Sequence, residues 1–428
     1  MLFISVVIGK SLLKLLRITG RRGSALPGLV VEKIQPGFLS KTLGQLPRGV
    51  VIVTGTNGKT TTTKIISEML QSQGVRVLTN PTGSNFVRGI IAAVIENISL
   101  SGKLPYDVAV FEQDEAHAVK FTNLVKPHGV VALNVMRDQM DRFGEIDTTA
   151  KLIGKVIAKT SDWVVLNAND SRISVFKDQV TAKKIVWFGH DKELGSHFLS
   201  DDQHYSQNQP KFFSATDKID VCLQDFADGQ TSLIIDGQSH DFVSQLEGAH
   251  NALNITAAIA AVETLLPKVS YPELAHGLAG IEPAFGRGEQ IVLKDGSRLR
   301  LQLVKNPSGF THSLRALKGQ DFGAIGIAIN DNYPDGRDVS WLWDVDFSLI
   351  NHKPVICGGV RAYDMAVRLK YDRIDSQYTV TNLKDFLEKI ISLSGKQKPA
   401  VIFCTYTAML ALRKMLKSRS QKMNQEGL

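Results

Sequence analysis

Cysteine is scarce. Cys222, Cys357 and Cys404 are spread over 428 residues, too few and too far apart for a disulfide framework, and this points to a reducing compartment. Three cysteines cannot build a four-cysteine zinc site, and no structural zinc is expected. No apolar run is long enough to cross a bilayer. Met1 to Ile8 is apolar, but Lys10 and Lys14 interrupt its continuation. No basic residue precedes it and no cleavage site follows, so a signal peptide is not expected. Internal repeats and low-complexity segments are absent. Nucleic acid is not an expected partner: the net charge is +8, but the basic residues are spread along the chain, and an anionic, phosphate-bearing substrate accounts for them equally well.

The chain is 43% hydrophobic and 21% charged, an ordinary globular composition with enough length for two cores. Its organising stretch is Val50-Val51-Ile52-Val53-Thr54-Gly55-Thr56-Asn57-Gly58-Lys59-Thr60-Thr61-Thr62. This predicts a buried strand, a glycine turn, and a helix running to about Gln73. Such a turn aims backbone N–H groups and a helix N-terminus at one point, which suits a phosphate. Lys59 is then expected at the β/γ-phosphates, with the Thr60 hydroxyl on Mg2+. The usual first glycine of a phosphate loop is replaced by Val53; Gly55 stands in the turn instead.

Apolar strands are predicted at Val75–Thr79, Asp107–Phe111, Gly129–Leu133, Trp163–Leu166 and Ile185–Phe188, the last closing the series at Gly189. Helical stretches separate them, so the sheet is read as mostly parallel and covered on both faces. Polar residues stand at the strand ends, where ligands gather in such sheets: Thr54, Asn80, Glu112, Asn134 and Asn167. Residues 201–210 read as a polar loop, followed by short alternating strands. Gly248 opens an alanine-rich helix to about Leu266, and Pro283 to Glu289 reads as a hinge. Beyond it, Gln290–Leu293 and Leu299–Val304 flank the hairpin signal Asp295-Gly296. A second alternating series follows, with Ala324–Ile329, Pro354–Cys357, a helix at Leu383–Leu393, and Ala400–Cys404.

Glu112 is the candidate Mg2+ carboxylate, whereas Asp114 and Glu115 read as a solvated acidic turn. Asn167 and Asp170 offer an amide and a carboxylate to a base and ribose. His250 and Asn251 are either site residues or the cap of the helix they begin. Arg287, at the hinge, is expected to reach the γ-phosphate. Arg137 to Glu145 crowds charges directly after a strand end. Cys357 and Cys404 end or sit in apolar strands and read as buried and inert. At the N-terminus, Leu12, Leu13, Leu15 and Leu16 accompany Lys10, Lys14, Arg17, Arg21 and Arg22. They read as a helix docked on its own domain, with a basic amphipathic helix on the membrane surface as the alternative. A cytoplasmic protein is expected, with peripheral contact at the inner membrane face under that alternative.

Several motifs occur in one order: T-G-T-N-G-K-T-T, the strand-end Glu112, N-x-x-R-D-Q-M-D-R-F-G-E, L-N-A-N-D, G-x-H-N-x-x-N and G-R-G-E. In this they resemble the Mur ligase family. The resemblance narrows to its MurT branch on Gln139 within R-D-Q-M-D-R-F-G-E, Lys305-Asn306-Pro307-Ser308-Gly309, and Asp331-Asn332 followed by Asp335-Gly336-Arg337-Asp338 and Trp341. Gly20-Arg21-Arg22-Gly23 with Leu26-Pro27-Gly28 also fits. The resemblance implies an α/β fold: a helical extension at 1–45, an ATP-binding domain with a mostly parallel sheet at 46–286, and a smaller Rossmann-like domain at 287–428 that meets an amidotransferase partner. It implies ATP and Mg2+, with Gly55, Thr56, Asn57, Gly58, Lys59, Thr60, Thr61, Asn134, Asn167, Asp170, His250, Asn251 and Arg287 around the nucleotide.

The implied activity is amidation of the α-carboxylate of D-glutamate in lipid II to D-isoglutamine, through an acyl phosphate. Ammonia would come from a GatD-type glutamine amidotransferase, whose cysteine–histidine pair Asp338 would complete. An N-cap is the plain alternative for Asp338. Lys151 lies near a lysine that many family members carbamylate; an exposed helix lysine is the plain alternative. Two other readings stay open: a self-contained amino-acid ligase like folylpolyglutamate synthase, and a non-catalytic nucleotide-binding scaffold.

Overall fold

Val50 to Thr54 forms strand β1 with all five residues buried. β-branched residues on both faces suit a central strand covered by helices. The computed structural model describes residues 2–18, 25–80, 85–137, 146–198, 212–227, 229–282, 287–317, 320–350 and 353–422. Gly20 to Gly23, Asp138 to Glu145 (with Gln139), the 201–210 loop and Pro283 to Gly286 lie outside these. The chain forms two compact units, Met1–Met136 with Asp147–Glu282, and Arg137–Ile146 with Pro283–Leu428.

In the first unit, helices α1 (Leu2–Ile18), α2 (Ala25–Ile34) and α3 (Phe38–Leu43) precede β1. Then come α4 (Lys59–Ser72), β2 (Val77–Thr79), α5 (Val87–Asn97), β3 (Val108–Glu112), α6 (Glu115–Thr122), β4 (Gly129–Ala132), α7 (Ile146–Ala158) and β5 (Trp163–Asn167). The series continues with α8 (Ser171–Ser174), β6 (Lys184–His190), β7 (Val221–Ala227), β8 (Gln230–Ile235), β9 (Gln238–Val243), α9 (Ala249–Leu265) and α10 (Tyr271–Ala279). The sheet order is β2-β3-β1-β4-β5-β6-β7-β8-β9. Strands β1 to β7 run parallel, and β8 and β9 return antiparallel. The sheet therefore does not close at Gly189: β7 pairs with β6 and brings a meander with it. The alternating burial of β8 marks a strand with one wet face, a weaker sequence signal than a continuous apolar run.

β1 sits between β3 and β4, with the chain departing to one side for β2 and to the other for β4. The loop after β1 therefore lies at the switch point, where such sheets open a crevice. Helices α1 and α2 pack beside α5. A Cβ on Gly28 would stand 2.1 Å from the Arg88 carbonyl oxygen, so only glycine allows that approach of backbones.

The second unit opens with the hairpin β10 (Arg287–Leu293) and β11 (Arg298–Leu303), then α11 (Pro307–Arg315), β12 (Ala324–Ala328), β13 (Val355–Gly358) and α12 (Ala362–Tyr371). It ends with β14 (Ser376–Val380), α13 (Leu383–Leu393), β15 (Ala400–Cys404), α14 (Tyr406–Leu416) and β16 (Ser420–Lys422). The order β14-β13-β12-β15-β11-β10-β16 has a parallel body from β14 to β11 and an antiparallel edge. Within it, Arg413 pairs with Glu289 at 3.0 Å and both side chains are almost wholly buried. Arg413→Ala would remove the buried cation that faces the Glu289 carboxylate. A loss of about 3–5 kcal/mol is expected in urea unfolding, largely relieved by Glu289→Leu in the same chain.

Candidate functional site

The turn after β1 is held in shape by β4's exit. Thr56 N donates to Asn134 O at 2.9 Å, and Asn57 N to Asn134 Oδ1 at 2.9 Å. Asn134 Nδ2 returns a bond to Asn57 O at 3.0 Å. Thr56 Oγ1 accepts from Met136 N at 3.0 Å. Gly58 has φ +88, and a Cβ there would stand 2.2 Å from Asn254 Oδ1. A side chain at Gly58 would be both strained and blocked. Asn254 was visible in the sequence as the last residue of G-x-H-N-x-x-N, but nothing local says that α9 brings it against the turn.

Lys59 is buried at the first position of α4. Its Nζ donates to the Gly55 and Thr56 carbonyls and pairs with Glu115 Oε1 at 3.2 Å. Glu115 is thus no solvated turn residue. It begins α6, is 1% exposed, and neutralises the loop lysine. Glu112 ends β3 beside Val53 and is 8% exposed; its carboxylate has no hydrogen bond or ion pair among the described residues. Its backbone is clamped by Asn80, which donates to Glu112 O and accepts from Glu112 N. Buried side-chain atoms of Thr54, Thr62, Gln113 and Asp114 also lack partners among the described residues. Buried polar groups are normally satisfied, and a carboxylate left bare at a strand's carboxyl end fits a cation. This donor set of hydroxyl and carboxylate oxygens suits Mg2+.

Asn167 Nδ2 donates to Leu133 O at 2.8 Å. Asp170 spends both oxygens internally, accepting from Val135 N, Arg172 N and Ile173 N. Burial pushes its carboxyl up to about 6 against those bonds. His250 and Asn251 lie in the first turn of α9, where Asn251 Nδ2 donates to Glu247 O. Thr60 and Thr61 continue α4 after Lys59. Lys151 is exposed on α7. Arg287 begins β10 in the second unit, and its side chain lies outside the described part. Arg137, the described end of the charged run, pairs with Asp344 at 3.6 Å.

In the second unit, Asn306 caps α11 through Gly309 N at 2.8 Å. Asp335 is buried and accepts from Thr407 N and Asn332 N. Burial raises its carboxyl above the usual range. Asp338 accepts from Ser340 N and Ser340 Oγ, each at 2.8 Å. It borders a groove of about 500 Å³ lined by Arg337, Leu342, Trp343, Tyr363 and Val367 among others. Trp343 is 50% exposed and Tyr363 64%. Arg368 supports the groove from beneath, donating to the Leu342 and Val345 carbonyls. Cys357 and Cys404 are fully buried. Burial pushes the Cys357 thiol up to about 11 and the Cys404 thiol further, so neither supplies a thiolate near neutral pH.

Residues 53–262 match the Mur ligase middle domain and residues 303–409 the MurT ligase C-terminal domain. The lipid II isoglutaminyl synthase (glutamine-hydrolyzing) subunit MurT of Streptococcus pneumoniae is 32% identical, covering 93% of this chain and 93% of that protein. The chain belongs to the MurT family. A second MurT, from Staphylococcus aureus, is 29% identical over 87% of this chain and 88% of its own length. The MurF ligase of Thermotoga maritima in complex with ADP aligns with a TM-score of 0.68 at 16% identity, covering 91% of this chain and 84% of that chain. That likeness is one of fold: the MurT-family chain carries the mixed α/β architecture of Mur ligases in two sheets. No described helix is long and apolar enough to cross a membrane.

Proposed function

We propose that this MurT-family chain is the ligase subunit of a glutamine-dependent enzyme that amidates the α-carboxylate of D-glutamate in lipid II, at the inner face of the membrane. The observation that carries the reading is the bare, buried Glu112 carboxylate beside a glycine turn that holds Lys59. A carboxylate is a poor electrophile; transfer of the γ-phosphoryl of ATP to one of its oxygens removes its charge and installs a leaving group, with ADP released. Ammonia then adds to the acyl carbon, and phosphate departs to leave the amide. Lys59 supplies positive charge at the transferring phosphoryl, and backbone N–H groups of the turn cradle the neighbouring phosphates. Arg287 is assigned to the γ-phosphate. Asn134 fixes the turn, and Asn167 and Asp170 brace the strand end beside it. His250, Asn251 and Thr61 are assigned to the nucleotide's surroundings. Thr60 and Glu112 would hold Mg2+, which would neutralise charge on the phosphate oxygens.

Ammonia is mostly protonated at neutral pH; Cys357 and Cys404 are buried thiols, and partial burial pushes the Cys222 thiol in β7 up to about 11. The nitrogen is therefore assigned to a GatD-type glutamine amidotransferase, whose docking surface is the groove beside Asp338. Half-exposed Trp and Tyr at a groove rim are typical anchors for a protein partner. The test is co-expression with that amidotransferase, pull-down, and mass spectrometry of lipid II incubated with ATP and glutamine. Joint purification and conversion of the carboxylate to an amide are expected. Tyr363→Asp should abolish the pull-down while ATP binding by the chain persists. ATP-dependent addition of an amino acid by the chain alone would replace the proposal with the self-contained ligase.

A further inference from the structure

We infer that the outward face of α1 is a contact surface for anionic lipid headgroups. The inner face of this helix is fully used: Ser5, Val6 and Gly9 are buried, and a Cβ on Gly9 would stand 2.9 Å from Ile95 and 3.1 Å from Val31. Helical spacing puts Phe3, Ile4, Val7, Ser11, Lys14, Leu15 and Ile18 on the opposite side. Phe3, Ile4, Leu15 and Ile18 are exposed there, Ile18 to 73%. The face that should be polar is therefore apolar at both ends, with only Ser11 and Lys14 polar between them. Leu2 packs at Gly102, in a turn that adds exposed Leu100 and basic Lys103.

The charged side chains on α1 itself are all basic. Residues 1–31 contain Lys10, Lys14, Arg17, Arg21 and Arg22 and no acid. Lys14 lies within the face and is exposed. Lys10 and Arg17 flank it; Lys10 Nζ donates to Glu96 O, and Arg17 pairs with the Glu96 carboxylate. A helix of 17 residues with cations inside its apolar face is too short and too charged to span a bilayer. It suits the headgroup boundary, with aliphatic side chains below and ammonium groups among phosphates. The inference deepens the proposed function, which puts the acceptor on a lipid, but it is tested without any acceptor.

The full-length chain is mixed with extruded vesicles of phosphatidylglycerol and phosphatidylcholine, or of phosphatidylcholine alone, and floated on a density gradient. The chain should float with the anionic vesicles only, and less at high salt. Partition should fall at least about tenfold in Phe3→Ser/Ile4→Ser/Leu15→Ser/Ile18→Ser, and about fivefold in Lys14→Glu. These side chains are exposed, so melting temperature and ATP binding should stay at wild-type values. Wild-type chain that does not float, or a quadruple variant that floats equally well, overturns the inference. So does a wild-type dimer that the quadruple variant dissociates with no change in flotation, since a second copy would then own the face. Flotation by a chain that amidates nothing would instead count against the proposed reaction alone.

Discussion

Lys59→Met is expected to lower ATP-dependent amidation roughly 1,000-fold, the scale of losing one preorganised charge at a transferring phosphoryl. The side chain is almost wholly buried, held by two turn carbonyls and by Glu115. The ammonium is therefore positioned before any nucleotide arrives. Its removal has a second consequence, because Glu115 would be left charged and buried, at a cost of about 3–5 kcal/mol. Loss of activity in the single variant would thus mix chemistry with unfolding. Lys59→Met with Glu115→Gln separates them: urea unfolding should return to within about 1 kcal/mol of wild type, since neither partner is then charged. Activity should stay near the single variant's level. If the double variant amidated within tenfold of wild type, Lys59 would be a structural ion-pair partner and nothing more.

Asp338→Asn should reduce glutamine-dependent amidation by about 1,000- to 10,000-fold while amidation with ammonium salts survives, as expected for an aspartate that orients a partner's histidine. Both Asp338 oxygens are engaged by Ser340, in a local turn one residue before the helix cap at Val339. Asparagine keeps an acceptor for Ser340 N and offers a donor to Ser340 Oγ. A purely local role would therefore change folding stability by less than about 1 kcal/mol and leave both nitrogen sources usable. Initial rates with glutamine and with ammonium, measured on the same reconstituted complex, decide between the roles. Equal rates from both sources at the wild-type level would remove Asp338 from the glutaminase.

The strand, glycine turn and helix that position Lys59 were legible because their signals are local. A run of β-branched residues, glycines at Gly55 and Gly58, and a lysine opening a helix lie within a dozen or so positions, and each acts through its own backbone. The hairpin at Asp295-Gly296 was legible for the same reason. The partners of those elements were not. Asn254 against Gly58, Glu115 on Lys59 and Arg413 on Glu289 join segments distant in sequence, and only strand order and helix packing choose among the chemically equivalent candidates. Asp170 illustrates the reverse error of local reading: a carboxylate near a strand end looks available, yet the fold consumes it on three backbone N–H groups. Helix α1 is the sharpest case. Its leucines and isoleucines surround the helix, so periodicity alone cannot assign an inner face. Close packing of Gly9 on Ile95 and Val31 makes the choice, because only a residue without a side chain leaves room there for the Ile95 and Val31 side chains.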